Sequence, residues 1–342
     1  MRVLIVRLSS MGDLVHALPA VTDAASAHPT IQFDWAVDET FSDVPSWHPA
    51  VHRIIRCPPR RKIGDFVQSW ISGRFAEFSR QIQETRYDLI IDLQGDFKGA
   101  IVSRLANGVH AGYDAKSVRE WGAQFAYQNQ YFVARKQHAI ARMRQLMAQA
   151  ISYPIPNSDP NYGMDCARLP KVSFSIAAPY LVFIHSTSWE SKCWPGSYWR
   201  VLTQMAIHAG FSVVLPWGSP KERERAEFIA NEQDRAFVLP NFSISEKAAI
   251  IANAKGTVGC DTGLSHIAAA LRIPSVALYG ATDPAWVGTV GKNQKQIVSG
   301  FECVFCHQRK CRYTKTALTP ACLTEITPEQ VWDALQAVMQ AG

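Results

Sequence analysis

The sequence of 342 residues lacks several features that mark common classes of protein. It has neither the Gly-x-Gly-x-x-Gly pattern of dinucleotide-binding proteins nor the Gly-x-x-x-x-Gly-Lys-Ser/Thr pattern of P-loop nucleoside triphosphatases. No two aspartates are separated by a single residue, so the Asp-x-Asp pair that often binds a diphosphate through Mg²⁺ or Mn²⁺ is missing too. Apolar runs stay far below the ~18 residues of a membrane-spanning helix. We therefore expect a cytoplasmic protein, and contact with a membrane surface stays open.

Composition and charge set weaker limits. Hydrophobic residues make up 47% and charged residues 19%, which is typical of a globular protein of two or three domains at this length. The 35 basic and 29 acidic residues give a net charge of +6, which is compatible with an anionic partner. The charge is not concentrated in either half of the chain, so an anion site has to come from local clusters.

Short apolar runs alternate with small-residue turns and amphipathic stretches, a pattern typical of βα units around a parallel sheet. Buried strands are predicted at residues 2–8, 31–37, 87–93, 180–185, 211–217, 256–260 and 275–279. A Pro-rich and Asn-rich stretch at 153–170 interrupts the pattern. We predict an α/β fold with two Rossmann-like, doubly wound domains facing a central cleft. The predicted parts are residues 1–165, residues 175–326 and a C-terminal helix at 327–342.

In the second domain, residues 260–266 lie where a strand leads into a helix, a place where free backbone amides bind phosphate. Asp261 is expected to cap the helix, and Gly263, followed by Leu264, to allow close approach of a ligand. Thr262 would add a hydroxyl and His266 a ring nitrogen. A capped turn without a ligand is an equally good interpretation of these residues.

The loop after the first strand of this domain carries Thr187, Ser188 and Lys192. Lysine is a compact charge suited to a diphosphate, although a single loop lysine is usually solvated. Glu222 could accept hydrogen bonds from a ribose, by analogy with acidic residues of dinucleotide folds. On position alone, a surface helix residue is the favoured interpretation of Glu222.

In the first domain, Asp13 follows a strand in the turn that also holds Ser10 and Gly12. An ionised carboxylate there can act as a general base, and a helix N-cap is the alternative. Two basic sets in this domain are candidates for an anion site on the acceptor side, with a solvated basic face as the alternative for about half of their members. The first set comprises Arg53, Arg56, Arg60, Arg61 and Lys62, and the second comprises Arg119, Arg135, Lys136, Arg142 and Arg144, with His138. No nucleic-acid recognition motif accompanies them.

Four of the eight cysteines fall within twenty residues, at Cys303, Cys306, Cys311 and Cys322. Their spacing is compatible with a tetrahedral zinc or iron site, and reduced thiols or a redox-active pair are the alternatives. The neighbouring cations at 309, 310 and 312 are expected to lower the thiol pKa values. The sequence shows no route from this cluster to the predicted cleft.

Several motifs in a fixed order resemble the lipopolysaccharide heptosyltransferases, over nearly the whole chain. They lie at residues 2–13, 33–35, 45–48, 87–95, 192–195, 215–218, 261–266 and 279–284. The resemblance implies a GT-B fold and an inverting, metal-independent transfer of L-glycero-D-manno-heptose from ADP-heptose to Kdo of Kdo-lipid A. It also implies a cytoplasmic protein, peripheral to the inner face of the inner membrane, that needs no cofactor for catalysis and binds no nucleic acid.

By the same resemblance, the catalytic residues would be Asp13, as the general base, and Lys192. The donor site would comprise Thr187, Ser188, Lys192, Glu222, Asp261, Thr262, Gly263, Leu264 and His266. The acceptor site would comprise Ser10, Gly12, Arg60, Arg61, Lys62, Arg119, Arg142 and Arg144. The cysteine cluster is similar to members that act on other acceptors, so a core heptose or a protein hydroxyl remains an alternative to Kdo. The non-enzymatic alternative is a cysteine-metal protein that binds nucleic acid.

Overall fold

The computed structural model describes residues 1–58, 71–313 and 315–341, which fall into two compact units, Met1–Arg168 and Leu169–Gly342. Within these described residues, no helix has both the length and the hydropathy to cross a membrane.

The first unit is built on a parallel sheet of six strands in the order β3-β2-β1-β4-β5-β6. The strands are β1 Arg2–Val6, β2 Gln32–Asp38, β3 Val51–Cys57, β4 Arg86–Asp92, β5 Asn107–Tyr113 and β6 Asn129–Tyr131. Residues 3–6 of β1 are wholly buried, because helices cover both faces of a parallel sheet. Ile5 pairs with Trp35 on one side and with Ile91 on the other, which places β1 at the centre of the core.

Four of the described helices of this unit lie between successive strands, and the fifth follows β6. They are α1 Met11–Ala27, α2 Asp43–Ser46, α3 Arg74–Gln83, α4 Phe97–Leu105 and α5 Ala139–Ile151, with short 3-10 turns at Glu39–Phe41, Ala123–Ala126 and Cys166–Arg168. The long helix α1 buries most of its apolar face, including Leu14 and Leu18, and packs against α5.

The second unit repeats the plan with a sheet in the order β12-β11-β10-β7-β8-β9. Its strands are β7 Tyr180–Ile184, β8 Ser212–Leu215, β9 Ala236–Val238, β10 Gly256–Cys260, β11 Ser275–Tyr279 and β12 Gln294–Val298. Numbered along the chain within each unit, both sheets have the order 3-2-1-4-5-6 of doubly wound nucleotide-binding folds.

The helices of the second unit are α6 Gly196–His208, α7 Pro220–Ala230, α8 Ile244–Ala252, α9 Gly263–Ala270, α10 Pro284–Val287, α11 Ala321–Thr324 and α12 Pro328–Gln340, with a 3-10 turn at Glu190–Lys192. The core between α6, α12 and the sheet is rich in tryptophan. Trp194 and Trp199 are fully buried with ring centroids 5.1 Å apart, and Trp332 of α12 packs in the same cluster. Helix α12 starts with a capping box between Thr327 and Gln330.

These two sheets confirm the predicted α/β class and its two doubly wound halves. Five outer strands were not predicted from the sequence, namely β3, β5, β6, β9 and β12. Strands at or near a sheet edge are only partly buried, so their sequences lack the continuous apolar run of a central strand. The strand predicted at 211–217 is shorter in the structure, at Ser212–Leu215.

Candidate functional site

Ligands of doubly wound sheets bind beyond the carboxyl ends of the strands, where the strand order reverses. This point lies between β1 and β4 in the first unit and between β7 and β10 in the second. The predicted base at position 13 follows β1. The predicted donor residues at 187–192 and 261–266 follow β7 and β10, so both groups lie at the ligand-binding edge of their own sheet.

Asp13 is the third residue of α1, and the N-cap is Ser10, so the alternative of an N-cap aspartate is wrong. One carboxylate oxygen accepts hydrogen bonds from the Ser10 amide and hydroxyl, both at 2.9 Å. The other oxygen lies 2.8 Å from a guanidinium nitrogen of Arg7. Burial alone would raise the pKa of Asp13, but the Arg7 charge and the Ser10 donors outweigh it and lower the pKa to about 2. The carboxylate is therefore ionised at neutral pH.

Arg7 ties this turn to the neighbouring strand. Its side chain is 7% exposed, and Nη1 donates to the Leu93 carbonyl at 2.8 Å. The Gln94 side chain adds a second tie, because its oxygen accepts from the Leu8 amide at 3.0 Å and its nitrogen donates to Asp96 at 3.0 Å. The segments after β1 and β4 are thus fixed to each other, and the position of Asp13 is fixed with them.

A buried carboxylate lies under the same edge. Asp92 accepts from the Tyr127 hydroxyl at 2.6 Å and from the Gln94 amide at 2.7 Å. Burial raises the pKa of Asp92 to about 6, even though these hydrogen bonds favour the charged form. Asp92 is fully buried, so it supports the loop and has no surface for a ligand.

The structure separates the predicted acceptor residues. Ser10 and Gly12 lie in the turn that holds Asp13. The guanidinium carbon of Arg142 lies 4.9 Å from the centre of the Tyr113 ring, and Nη2 donates to the Ser117 carbonyl at 2.7 Å. The predicted residues Arg60, Arg61 and Lys62 lie outside the described residues.

The two remaining acceptor candidates, Arg119 and Arg144, differ in how accessible they are to a ligand. Arg119 is exposed, and its amide donates to Gly95 at 3.0 Å. The guanidinium of Arg144 is 8% exposed and bonds to Asp23 of α1 at 2.5 Å, with further bonds to Ser158. All three of its nitrogens are engaged within the unit, so the acceptor role predicted for Arg144 gains no support, and we leave this residue out of the site.

In the second unit, Lys192 and Asp261 form an ion pair. Nζ of Lys192 lies 2.7 Å from a carboxylate oxygen of Asp261 and 4.6 Å from the centre of the Trp189 ring. Both side chains are largely buried, with exposed fractions of 15% and 6%. The pair holds the ammonium at the carboxyl end of β10.

Asp261 is held by two further groups. The Thr282 hydroxyl donates to it at 2.6 Å, and Nε2 of His266 lies 3.6 Å from its other oxygen. Burial would raise the pKa of Asp261, but the His266 hydrogen bond and the Lys192 charge hold the pKa well below its usual range. The expectation that Asp261 caps the following helix is wrong. Thr262 occupies the N-cap, and Asp261 instead orients the lysine.

No side chain caps helix α9, which starts at Gly263 and continues with Leu264. Its first backbone amides are therefore suited to an anionic ligand. Thr187 is tied to this corner, since its hydroxyl donates to the Asp261 carbonyl at 3.3 Å, and Ser188 beside it is exposed. The helix starts very close to the strand. A Cβ atom at Gly259 would lie 2.2 Å from the Ser265 hydroxyl oxygen.

Glu222 is the third residue of α7, and one of its carboxylate oxygens accepts from the Gly218 amide at 2.6 Å. The side chain therefore stabilises the start of its own helix. The ribose contact predicted for Glu222 remains a prediction.

The four clustered cysteines are free thiols. Burial raises the pKa of Cys322 to about 11, and the other three cysteines of the cluster add to the shift. The pKa of Cys303 is raised as well, so the expectation that nearby cations lower these pKa values is wrong for both. Among the described residues, no three His, Cys, Asp or Glu side chains are grouped as ligands of one ion, so the zinc or iron interpretation gains no support.

The segment with three of these cysteines nevertheless reaches the Lys192 site, by a route that the sequence did not reveal. The amides of Phe305 and His307 donate to the carbonyls of Gly280 and Ala281 at 2.7 and 2.9 Å, directly before Thr282. The Ser191 amide donates to the Arg309 carbonyl at 3.2 Å. Residues 305–309 therefore brace the loop that carries Lys192 and the segment that carries Thr282, whose hydroxyl donates to Asp261.

Sequence reasoning missed four residues that shape these sites, namely Arg7, Gln94, Trp189 and Thr282. Three of them lay within motifs already noted, at 2–13, 87–95 and 279–284. Their partners are distant in sequence, as Gln94 is from Leu8, so only the fold brings them together.

The chain is similar in sequence to known proteins. A model of glycosyltransferase family 9 (heptosyltransferase) matches residues 75–317. Lipopolysaccharide heptosyltransferase 1 of Pseudomonas aeruginosa is 43% identical over 352 aligned positions, covering 100% of this chain and 99% of that protein. The protein of the same name from Escherichia coli K12 is 42% identical, covering 86% and 92%.

Solved structures agree with the sequence relatives. E. coli heptosyltransferase WaaC with ADP matches with a TM-score of 0.85 and 36% identity, covering 99% of this chain and 100% of that one. The structure of E. coli ADP-heptose lps heptosyltransferase II matches with a TM-score of 0.77 at 22% identity, covering 100% and 99%, and shows the fold alone. These matches exclude the non-enzymatic nucleic-acid-binding alternative. With a family model covering most of its length and relatives above 40% identity, the chain belongs to glycosyltransferase family 9, the heptosyltransferases.

Proposed function

We propose that this protein transfers L-glycero-D-manno-heptose from ADP-heptose to a Kdo residue of Kdo-lipid A, with inversion at the anomeric carbon and without a metal ion. The observation that carries the proposal is the 43% identity, over the whole chain, to a lipopolysaccharide heptosyltransferase 1. Heptosyltransferase 2 proteins are only 24% identical or less, which favours Kdo over a core heptose as the acceptor.

Asp13 is the proposed general base. Its ionised carboxylate is 27% exposed at the ligand-binding edge of the first sheet, so an incoming hydroxyl has access to it. The Ser10 donors hold one oxygen, and the second oxygen, now paired with Arg7, would accept the proton of the Kdo hydroxyl. Arg119 and Arg142 are the described cations that we assign to the anionic acceptor. Arg60, Arg61 and Lys62 remain candidates from the sequence.

The departing ADP needs positive charge at its diphosphate. We assign this task to Lys192 and to the first amides of α9, at Gly263 and Leu264. The Trp189 ring and Asp261 keep the ammonium in place before the donor binds. Hydroxyls of Thr187 and Ser188 would complete the diphosphate site. The ADP in the similar WaaC structure is the product that such a transfer releases.

Two further parts of the proposal concern metal and location. The absence of an Asp-x-Asp pair and the presence of Lys192 support catalysis without a divalent ion. A lipid-linked acceptor requires the enzyme to work at a membrane, so we propose a cytoplasmic protein that binds peripherally to the inner membrane.

The test is incubation with ADP-heptose and delipidated Kdo-lipid A, followed by mass spectrometry of the acceptor. We expect one added heptose, undiminished in excess EDTA. Asp13→Asn keeps the size of the side chain and should retain ADP affinity while turnover falls by roughly 10²-fold or more. Parallel reactions with a heptose-terminated core and with a protein acceptor test the alternatives. Transfer to either of these but not to Kdo would refute the proposed acceptor.

A further inference from the structure

We propose that an exposed apolar face of the first unit docks on the surface of an anionic lipid bilayer. This face consists of Phe97, Ile101, Trp121 and Phe125 and is called the aromatic face below. The inference rests on the proposed function, because that function requires a lipid-borne acceptor.

The four side chains are strongly exposed, by 53%, 53%, 72% and 75% in chain order. Phe97 and Ile101 are one turn apart on α4, so they share one side of that helix. The rings of Trp121 and Phe125 pack edge to face with centroids 5.8 Å apart. A Cβ atom at Gly122 would lie 3.0 Å from the Phe97 ring, so the two pairs adjoin. Contiguous apolar surface of this kind usually marks an interaction site.

The aromatic face is held outward by hydrogen bonds. The amides of Arg119 and Glu120 donate to the Gly95 carbonyl at 3.0 and 3.1 Å. The Glu120 carboxylate in turn accepts from the Phe97 amide at 2.9 Å. These bonds join the loop that carries Trp121 to the start of α4. The aromatic side chains are thus presented on a fixed backbone.

The position of the aromatic face fits a lipid-borne acceptor. It is anchored at Gly95, next to Gln94, whose side chain holds the turn that carries Asp13. The aromatic face and the candidate base Asp13 therefore lie at the same carboxyl edge of the first sheet. An acceptor with its acyl chains in a bilayer has to bring its sugar to Asp13, and a bilayer seated on the aromatic face would lie next to that site.

The charges around the face favour an anionic bilayer over a second copy of this chain. The exposed cations next to the face in sequence are Arg104, Lys116 and Arg119. The flanking acids, Asp114 and Glu120, each accept hydrogen bonds from backbone amides. The excess of cations would attract anionic headgroups, whereas two copies meeting at this face would bring like charges together. Aromatic rings among cations are typical of surfaces that lie at the membrane interface.

The first test is sedimentation with vesicles of phosphatidylethanolamine and phosphatidylglycerol. We expect the double variant Trp121→Ser/Phe125→Ser to bind these vesicles on the order of tenfold more weakly than the parent, because two rings no longer enter the interface. Phe132→Ser is the matched control, since Phe132 is 60% exposed outside the aromatic face, and it should bind as the parent does. Vesicles of phosphatidylcholine alone should bind the parent weakly. Equal binding by the double variant and the parent would overturn the proposal.

Two further measurements separate this inference from the proposed function. Brominated lipids should quench part of the parent fluorescence, and Trp121→Phe should lose that part. The double variant should keep the parent rate on the delipidated acceptor and lose rate on Kdo-lipid A in vesicles. If the parent fails on the delipidated acceptor, the proposed function fails, while vesicle binding still tests the aromatic face. Sedimentation equilibrium compares the mass of the double variant with that of the parent. A lower mass of the double variant, together with unchanged vesicle binding, would assign the face to self-association and overturn the proposal.

Discussion

Replacing Arg7 by methionine tests whether Arg7 keeps Asp13 ionised. The pKa of Asp13 is lowered from 3.8 to about 2, and Arg7 is the strongest of the groups that lower it. The whole shift corresponds to on the order of 2 kcal/mol. In Arg7→Met, burial of the carboxylate is opposed only by Ser10 and His16, so the pKa should rise to 3.8 or above. Tyr113 also faces this group and stays protonated, because burial raises its pKa.

The assay is the pH dependence of kcat/KM for heptosyl transfer from about pH 4 to 9. The parent should show no acid limb from Asp13 in this range, whereas Arg7→Met should acquire one between roughly pH 4 and 6. Arg7→Lys is the matched control, since it keeps the charge and should keep the profile of the parent. Superimposable profiles for Arg7→Met and the parent would refute the reasoning.

The lowered pKa of Asp13 also makes the stability of the folded protein depend on pH. The folded pKa of Asp13 is depressed, so its ionisation stabilises the parent above about pH 4, and this contribution is lost as the pH falls through about 2. Urea titrations at pH values between about 2 and 4 should show a smaller loss of the free energy of unfolding for Arg7→Met than for the parent.

Three other substitutions test the supports of the two sites. Asp261→Asn leaves the buried ammonium beside it without a counter-charge and should lower the free energy of unfolding in urea by about 3 kcal/mol, so an unchanged midpoint would contradict the ion pair. Gly259→Ala places a Cβ atom 2.2 Å from the Ser265 hydroxyl oxygen, so calorimetry should show a lower Tm, with a cost of about 1–3 kcal/mol. Tyr127→Phe removes a donor to buried Asp92 and should cost about 1–3 kcal/mol at pH 8. Burial raises the pKa of Asp92 to about 6, so the destabilisation by Tyr127→Phe should shrink below pH 6 as the Asp92 carboxylate takes up a proton. A destabilisation that does not change with pH would contradict this role of Asp92.

The sequence was sufficient to place the main groups but not to pair them. The apolar run of β1 and the small residues after it placed Asp13 correctly at the carboxyl end of a strand. The same logic placed Asp261 after β10, since a buried strand followed by a helix leaves few positions for the turn. These inferences use local periodicity, which a single sequence carries.

The partners of these groups depend on contacts between distant segments. Thr282 reaches Asp261 across 21 residues, and Gln94 reaches the Leu8 amide across 86. No local pattern encodes such pairs. The edge strand β6, Asn129–Tyr131, was missed for a related reason, because three polar or half-polar residues show no hydrophobic period.

The last helix described affects the order in which the two units can form during synthesis. Leu335 and Met339 of α12 lie against Gly256 in β10, where a Cβ atom would come within 3.1 Å of either side chain. The first unit has all its strands and helices by Arg168, so it can fold while translation continues. One face of β10 lacks this cover until residues 328–340 leave the ribosome. A premature stop a few codons before α12 would therefore yield a folded first unit joined to an incomplete second unit with exposed apolar surface.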